Sequence, residues 1–188
     1  MNLKRSAPAL AAGTLATLAA MSYLAHGQAA KDHAHGHVTR AIAKLEPTEG
    51  KKAHGVVTFT QAKDGVHVVA KLEGLAPGEH GFHVHEFGDI TGADGKSAGG
   101  HFNPEKAKHA GPEDKMRHLG DLGNIKADNR GMAEYDRVDM HLSLHGEHSI
   151  LGRGLVVHEK LDDFKTQDPP GNAGGRVAVG VIGVAKGE

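Results

Sequence analysis

His83 and His85 stand two residues apart in the run Gly81-Phe-His-Val-His-Glu86, which reads as a β-strand. Alternate strand residues share a face, so both imidazoles can reach one ion. Neutral imidazole suits copper and zinc, and a chain with 16 His and no Cys has placed its soft-metal capacity in nitrogen ligands. The pattern points to a redox metal on a β scaffold.

Further along, His101, His109, His118 and Asp121 supply three imidazoles and one carboxylate, a closed tetrahedral set of the kind a structural zinc takes. An ion held there would fix a Gly/Pro-rich loop and add folding free energy directly. His158 ends the apolar run Leu155-Val156-Val157 and joins His83 and His85 as a second group. Three imidazoles leave a tetragonal copper one nitrogen short, while the zinc set needs His101. One imidazolate bridging both ions satisfies both. His141, His145 and His148 match no required ligand and read as exposed, and His54, His67 and His80 read as strand-surface residues.

These side chains need a scaffold that repeats every two residues. Apolar alternation over 38–45, 56–61 and 66–72, with turn signals at Glu49-Gly50, Asp64-Gly65 and Gly74, predicts half-buried antiparallel strands. Shorter runs at 81–87, 123–127, 132–138, 154–157 and 176–184 bring the number to about eight, with Asp128-Asn-Arg-Gly131 as a hairpin turn. Two long segments, 88–119 and 159–175, exceed the usual connection length and are where a site would lie. The expected class is all-β, an eight-stranded antiparallel Greek-key barrel or sandwich with two long functional loops.

Residues 1–29 carry Lys4 and Arg5, an Ala/Leu-rich apolar run and the small-residue exit Gly27-Gln28-Ala29, which reads as a secretory signal cut after Ala29 rather than an uncleaved anchor. Residues 30–37 alternate His33, His35 and His37 with small residues. This flexible segment is either a metal-gathering arm or a plain linker. Residues 38–188 form the expected domain. The formal net charge of −1 gives nucleic acid no electrostatic attraction, and no stable membrane association is expected once the signal is cut. Without a cysteine after the signal, neither a lipid anchor nor a disulfide is available. The expected location is periplasmic or secreted.

The blocks 81–89, His101-Phe-Asn-Pro104, Arg117-His-Leu-Gly-Asp-Leu-Gly-Asn124, Val156-Val-His-Glu-Lys160 and Gly171-Asn-Ala-Gly-Gly-Arg-Val177 resemble, in order, the copper/zinc superoxide dismutase family. That resemblance implies copper on His83, His85, His101 and His158, zinc on His101, His109, His118 and Asp121, and His101 as the shared bridge. It further implies that Asp162 accepts hydrogen bonds from a ligand histidine of each metal and that Arg176 attracts superoxide beside an open copper position. The implied activity converts superoxide to dioxygen and hydrogen peroxide by alternating copper oxidation states. A homodimer is implied too, Ser149-Ile-Leu-Gly-Arg153 resembling a stretch used for pairing in one branch.

Three departures stand out. The family's usual intrachain disulfide is absent, with Ala93-Asp-Gly-Lys96 and Val179 at its two ends; losing such a staple costs on the order of 2–5 kcal/mol. The segment from His158 to Arg176 is short, and Asp168-Pro169-Pro170 stands where steering residues often occur, leaving Lys165 as a partial substitute. The His-rich arm has no counterpart in the pattern. The alternative reading is an exported, non-catalytic copper/zinc buffer; a zinc hydrolase would need an open zinc position, and all four are filled.

Overall fold

The computed structural model describes residues 37–186. The expected signal at 1–29, and the 30–37 arm apart from His37, lie outside the described residues.

Strands form wherever the apolar period is two: β1 (Arg40–Pro47), β2 (His54–Ala62), β3 (Gly65–Glu73), β4 (Gly78–His85), β5 (Asp121–Ala127), β6 (Ala133–Asp139), β7 (Gly154–His158), β8 (Arg176–Val181) and the two-residue β9 (Gly183–Val184). The first eight close a ring in the order β1-β2-β3-β6-β5-β4-β7-β8, with β1 bonded to both β2 and β8 and every pairing antiparallel. The β3–β4 and β6–β7 connections each pass two ring neighbours, which is the Greek-key crossing. Among the described residues the one helical piece is a 3-10 turn at Lys96–Ala98, and no helix is long and apolar enough to cross a membrane.

The interior is filled by the inward residues of each strand. Ala41, Ala43 and Leu45 from β1 meet Val57 and Phe59 from β2, Val66 and Val68 from β3, and Phe82 and Val84 from β4. Closing the sheet removes the exposed edges that an open one would present. β1, β2, β3 and β6 alternate buried and exposed residues, while β4 from His80 onward and all of β7 are buried continuously. The difference comes from the long loops, which cover the outer face of β4 and β7. Phe82 and Val84 point into the barrel, so His83 and His85 point out of it, beneath the loops.

Two expectations need correction. The run 176–184 is not one strand, because Ile182 leaves the ladder and donates its N–H to the Arg153 carbonyl at 2.9 Å. His80 is not a strand-surface residue: it is 3% exposed, with Nδ1 2.8 Å from the His158 carbonyl and Nε2 2.9 Å from that of Ala76. Its parity is that of Phe82 and Val84, so it falls on the inner side near the barrel end. Of the loop histidines, His145 is exposed as expected while His141 and His148 are half-buried.

The first long loop is seated without a covalent staple. Ala98 from the 3-10 turn packs with Val156 and Val179 in a small apolar cluster on the outside of the barrel. Ser97 Oγ donates to the Asp89 carbonyl, and Glu49 N–H to that of Ala93. Val179, at one end of the missing disulfide, therefore contributes packing at that position.

Candidate metal centre

β4 contributes His83 and His85 and β7 contributes His158, all from outward positions. The first long loop contributes His101, His109 and His118, and Asp121 opens β5. The loop is laid against β4 by backbone bonds: His85 bridges to His101, Phe102 N–H donates to the Val84 carbonyl, and Val84 N–H donates to the Gly120 carbonyl. A Cβ on Gly120 would lie 2.1 Å from the Val84 oxygen, so this close approach requires glycine. A bulge between β4 and β5 sets Asp121 opposite His83.

Two groups of possible metal ligands result. One ligand atom from each of His83, His85, His101 and His158 lies within 4.8 Å of the others, and the same holds for His101, His109, His118 and Asp121. His101 belongs to both. Its Nδ1 is 2.7 Å from Asp121 Oδ1 and 3.4 Å from His118 Nδ1, which leaves Nε2 for the other group.

The remaining ring nitrogens are occupied so as to free one atom each. Asp162 stands between the groups, accepting from His83 Nε2 at 2.7 Å and from His109 Nε2 at 2.9 Å. His85 Nδ1 lies 2.9 Å from the Gly99 carbonyl and His158 Nδ1 3.3 Å from that of Gly174. His83 Nδ1 and His109 Nδ1 are buried without a hydrogen-bond partner, although the latter lies 3.0 Å from an Asp121 oxygen. Unpaired buried polar atoms are costly. Metal ions at the two groups would satisfy these nitrogens, so the donor set fits them.

Electrostatics favour the same occupancy. Burial, reinforced by neighbouring rings, holds His85 and His158 well below the ordinary imidazole range and His101 down to about 4. These rings keep lone pairs available at neutral pH. His109 behaves oppositely: burial opposes its charge, but the adjacent Asp121 and Asp162 carboxylates outweigh that and raise it to about 9. Burial also works against ionisation of Asp121, and its histidine neighbours overcome it, holding the carboxylate ionised.

Several supporting residues escaped the sequence reading. Asn124 pairs with the Asp162 backbone both ways, Nδ2 donating to its carbonyl at 2.9 Å and Oδ1 accepting its N–H at 2.7 Å. Gln167, from the second long loop, grips His109 likewise, Oε1 accepting its N–H at 3.0 Å and Nε2 donating to its carbonyl at 2.9 Å. Buried Arg117 donates to the His118 and Leu119 carbonyls and pairs with Asp139. Asn124 and Arg117 sit in a patterned block; Gln167 carries no sequence signal. Gly171 also matters, since a Cβ there would lie 2.3 Å from Asp162 Oδ1.

A cavity of about 470 Å³ opens onto the first group, lined by His85, His101, His158, Arg176, Pro169 and Pro170 among others. Arg176 donates to the Gly95 and Gly99 carbonyls, and Gly99 is also the partner of His85. Lys165 does not line the cavity, whereas Lys51 and Lys96 do, paired with Glu159 and Asp94 respectively. Among the described lining residues Arg176 is the cation with no carboxylate in ion-pair contact.

The family described as copper/zinc superoxide dismutase (SODC) matches residues 53–182. The chain belongs to that family. It is 46% identical to the extracellular Cu-Zn superoxide dismutase of Drosophila melanogaster over 144 residues, covering 73% of this chain and 79% of that protein. It is 53% identical to Cu-Zn superoxide dismutase A of Xenopus laevis over 135 residues, covering 69% of this chain and 88% of that one. Among solved structures, the clock protein EA4 superposes with a TM-score of 0.73 at 51% identity, covering 79% of this chain and 96% of that chain. As a copper/zinc superoxide dismutase family member, the chain takes copper and zinc as its cofactors, consistent with its two histidine-rich groups.

Proposed function

We propose that the protein is an active superoxide dismutase, with copper on His83, His85, His101 and His158, zinc on His101, His109, His118 and Asp121, and His101 shared. The observation that carries this reading is the membership of His101 in both groups, together with the cavity that reaches one of them. Copper, when bound, supplies a one-electron couple. Two superoxide anions and two protons become one dioxygen and one hydrogen peroxide.

Arg176 holds a permanent positive charge on the cavity wall and draws the small anion inward. Its anchoring to the Gly95 and Gly99 carbonyls keeps it beside His85 without neutralising it. His101 can take up a proton at Nε2 while Nδ1 stays with the Asp121 group, and so passes a proton toward the reduced product. Asp162 orients His83 and His109 together, coupling the two halves. Export to the periplasm or the outside, after removal of residues 1–29, fits the leader, and an extracellular relative is consistent with it. A homodimer is the proposed assembly.

The test is superoxide consumption by protein reloaded with copper and zinc, alongside the copper spectrum with and without zinc. Consumption that falls as ionic strength rises, and a spectrum that changes on zinc removal, are expected. Tight binding of both metals with no consumption would instead identify a buffer protein.

A further inference from the structure

We propose that His37 and His145 form a second, peripheral copper(II) site on the outside of the barrel, separate from the centre described above and independent of the dismutase reading. The two rings meet with centroids 5.1 Å apart and planes at 74°. The pairs within the main groups have the same disposition: His85 and His101 at 5.1 Å and 65°, His101 and His109 at 5.4 Å and 72°, His109 and His118 at 5.5 Å and 54°. Two imidazoles so placed can direct one nitrogen each toward a common ion. Both residues are exposed, so water completes the coordination.

The pair is built rather than accidental. Gln61 holds both segments, its backbone N–H donating to the Thr39 carbonyl at 2.8 Å and its Oε1 accepting the Leu144 N–H at 3.0 Å. Val38 packs on the core beside His37, and Leu144 is buried beside His145. His145 N–H donates to Ser143 Oγ at 3.0 Å, fixing the loop locally. Holding both rings near each other beforehand lowers the ordering cost of binding. Copper(II) is the divalent ion that imidazole nitrogens bind most strongly among the first-row metals. The site also gives a place in the fold to the last histidine of the alternating series His33, His35, His37.

The test titrates copper(II) alone into the full protein already loaded with copper and zinc, followed by calorimetry and electron paramagnetic resonance. One additional equivalent with its own copper spectrum is expected. His37→Ala and His145→Ala should each weaken that equivalent at least ~10-fold, and the double variant should be little worse than either single one. His54→Ala and His67→Ala, which alter exposed or half-buried histidines elsewhere, should leave it intact. Circular dichroism checks that each variant is folded. Binding that survives His145→Ala unchanged would place the ion on the N-terminal arm alone and overturn the proposal, as would no additional equivalent or equal losses in all four single variants.

Discussion

His109 is the residue at which proton and metal compete most directly. In the metal-free protein its proton is held to about 9 by Asp121 and Asp162, whereas His85 and His158, well below the usual range, are already neutral at pH 7. Filling the His109 group therefore expels the His109 proton, whereas His85 and His158 have no such proton to give up. Apparent zinc affinity should climb with pH until about 9, by up to about tenfold per unit from this proton, then level off. Calorimetry in buffers of differing ionisation enthalpy reads the released proton, and a flat profile between pH 6 and 8 would contradict the assignment. Asp162→Asn removes the negative charge facing both His83 and His109. It should weaken metal retention by about 10–100-fold, read by competition with a chelator, while strand content stays unchanged.

At the scale of elements, the second long loop reaches the backbone of the first at His109 through the Gln167 amide, beside the Asp162 contact to the His109 ring. Gln167→Leu removes both bonds to the His109 backbone while keeping the side chain's bulk. Hydrogen exchange at the His109 N–H should accelerate, with little change in β2 and β3; equal exchange would mean that the Asp162 contacts alone hold this stretch. No sequence pattern announces Gln167, because an exposed amide in a loop acquires its role only when a distant backbone arrives opposite it. The strands were legible for the reverse reason, since alternation is a local signal. His83 and His85 could be read as neighbours on one face from spacing alone, strand-end placement and ligand counting join His158 and His101 to them, and ligand atoms of all four lie within 4.8 Å of one another. His80 was misread because its burial depends on the neighbouring β3–β4 connection, and Ala98 went unnoticed because nothing local marks it as an anchor for a loop lacking a disulfide.

For the whole molecule, the filled interior and the metal groups lie on opposite sides of the same strands. The core cluster contains none of the candidate ligands, while the long loops lean on the ligand side chains. Removing both metals should leave the strands formed but lower the melting temperature strongly, since no disulfide restrains the first loop. Calorimetry paired with far-ultraviolet circular dichroism checks this, and a metal-free protein melting within a few degrees of the loaded one would show that Ala98, Val156 and Val179 suffice.

Because the candidate metal groups lie on the outer wall of a closed barrel whose core contains none of them, assembly and metal loading can be separate events in time. A chain can finish folding wherever it emerges and wait, with His83 Nδ1 buried and unpartnered, until a cargo of cations reaches it. Scarcity of either element would then leave a fraction of the molecules folded but unfilled, and those would be the first to melt on heating.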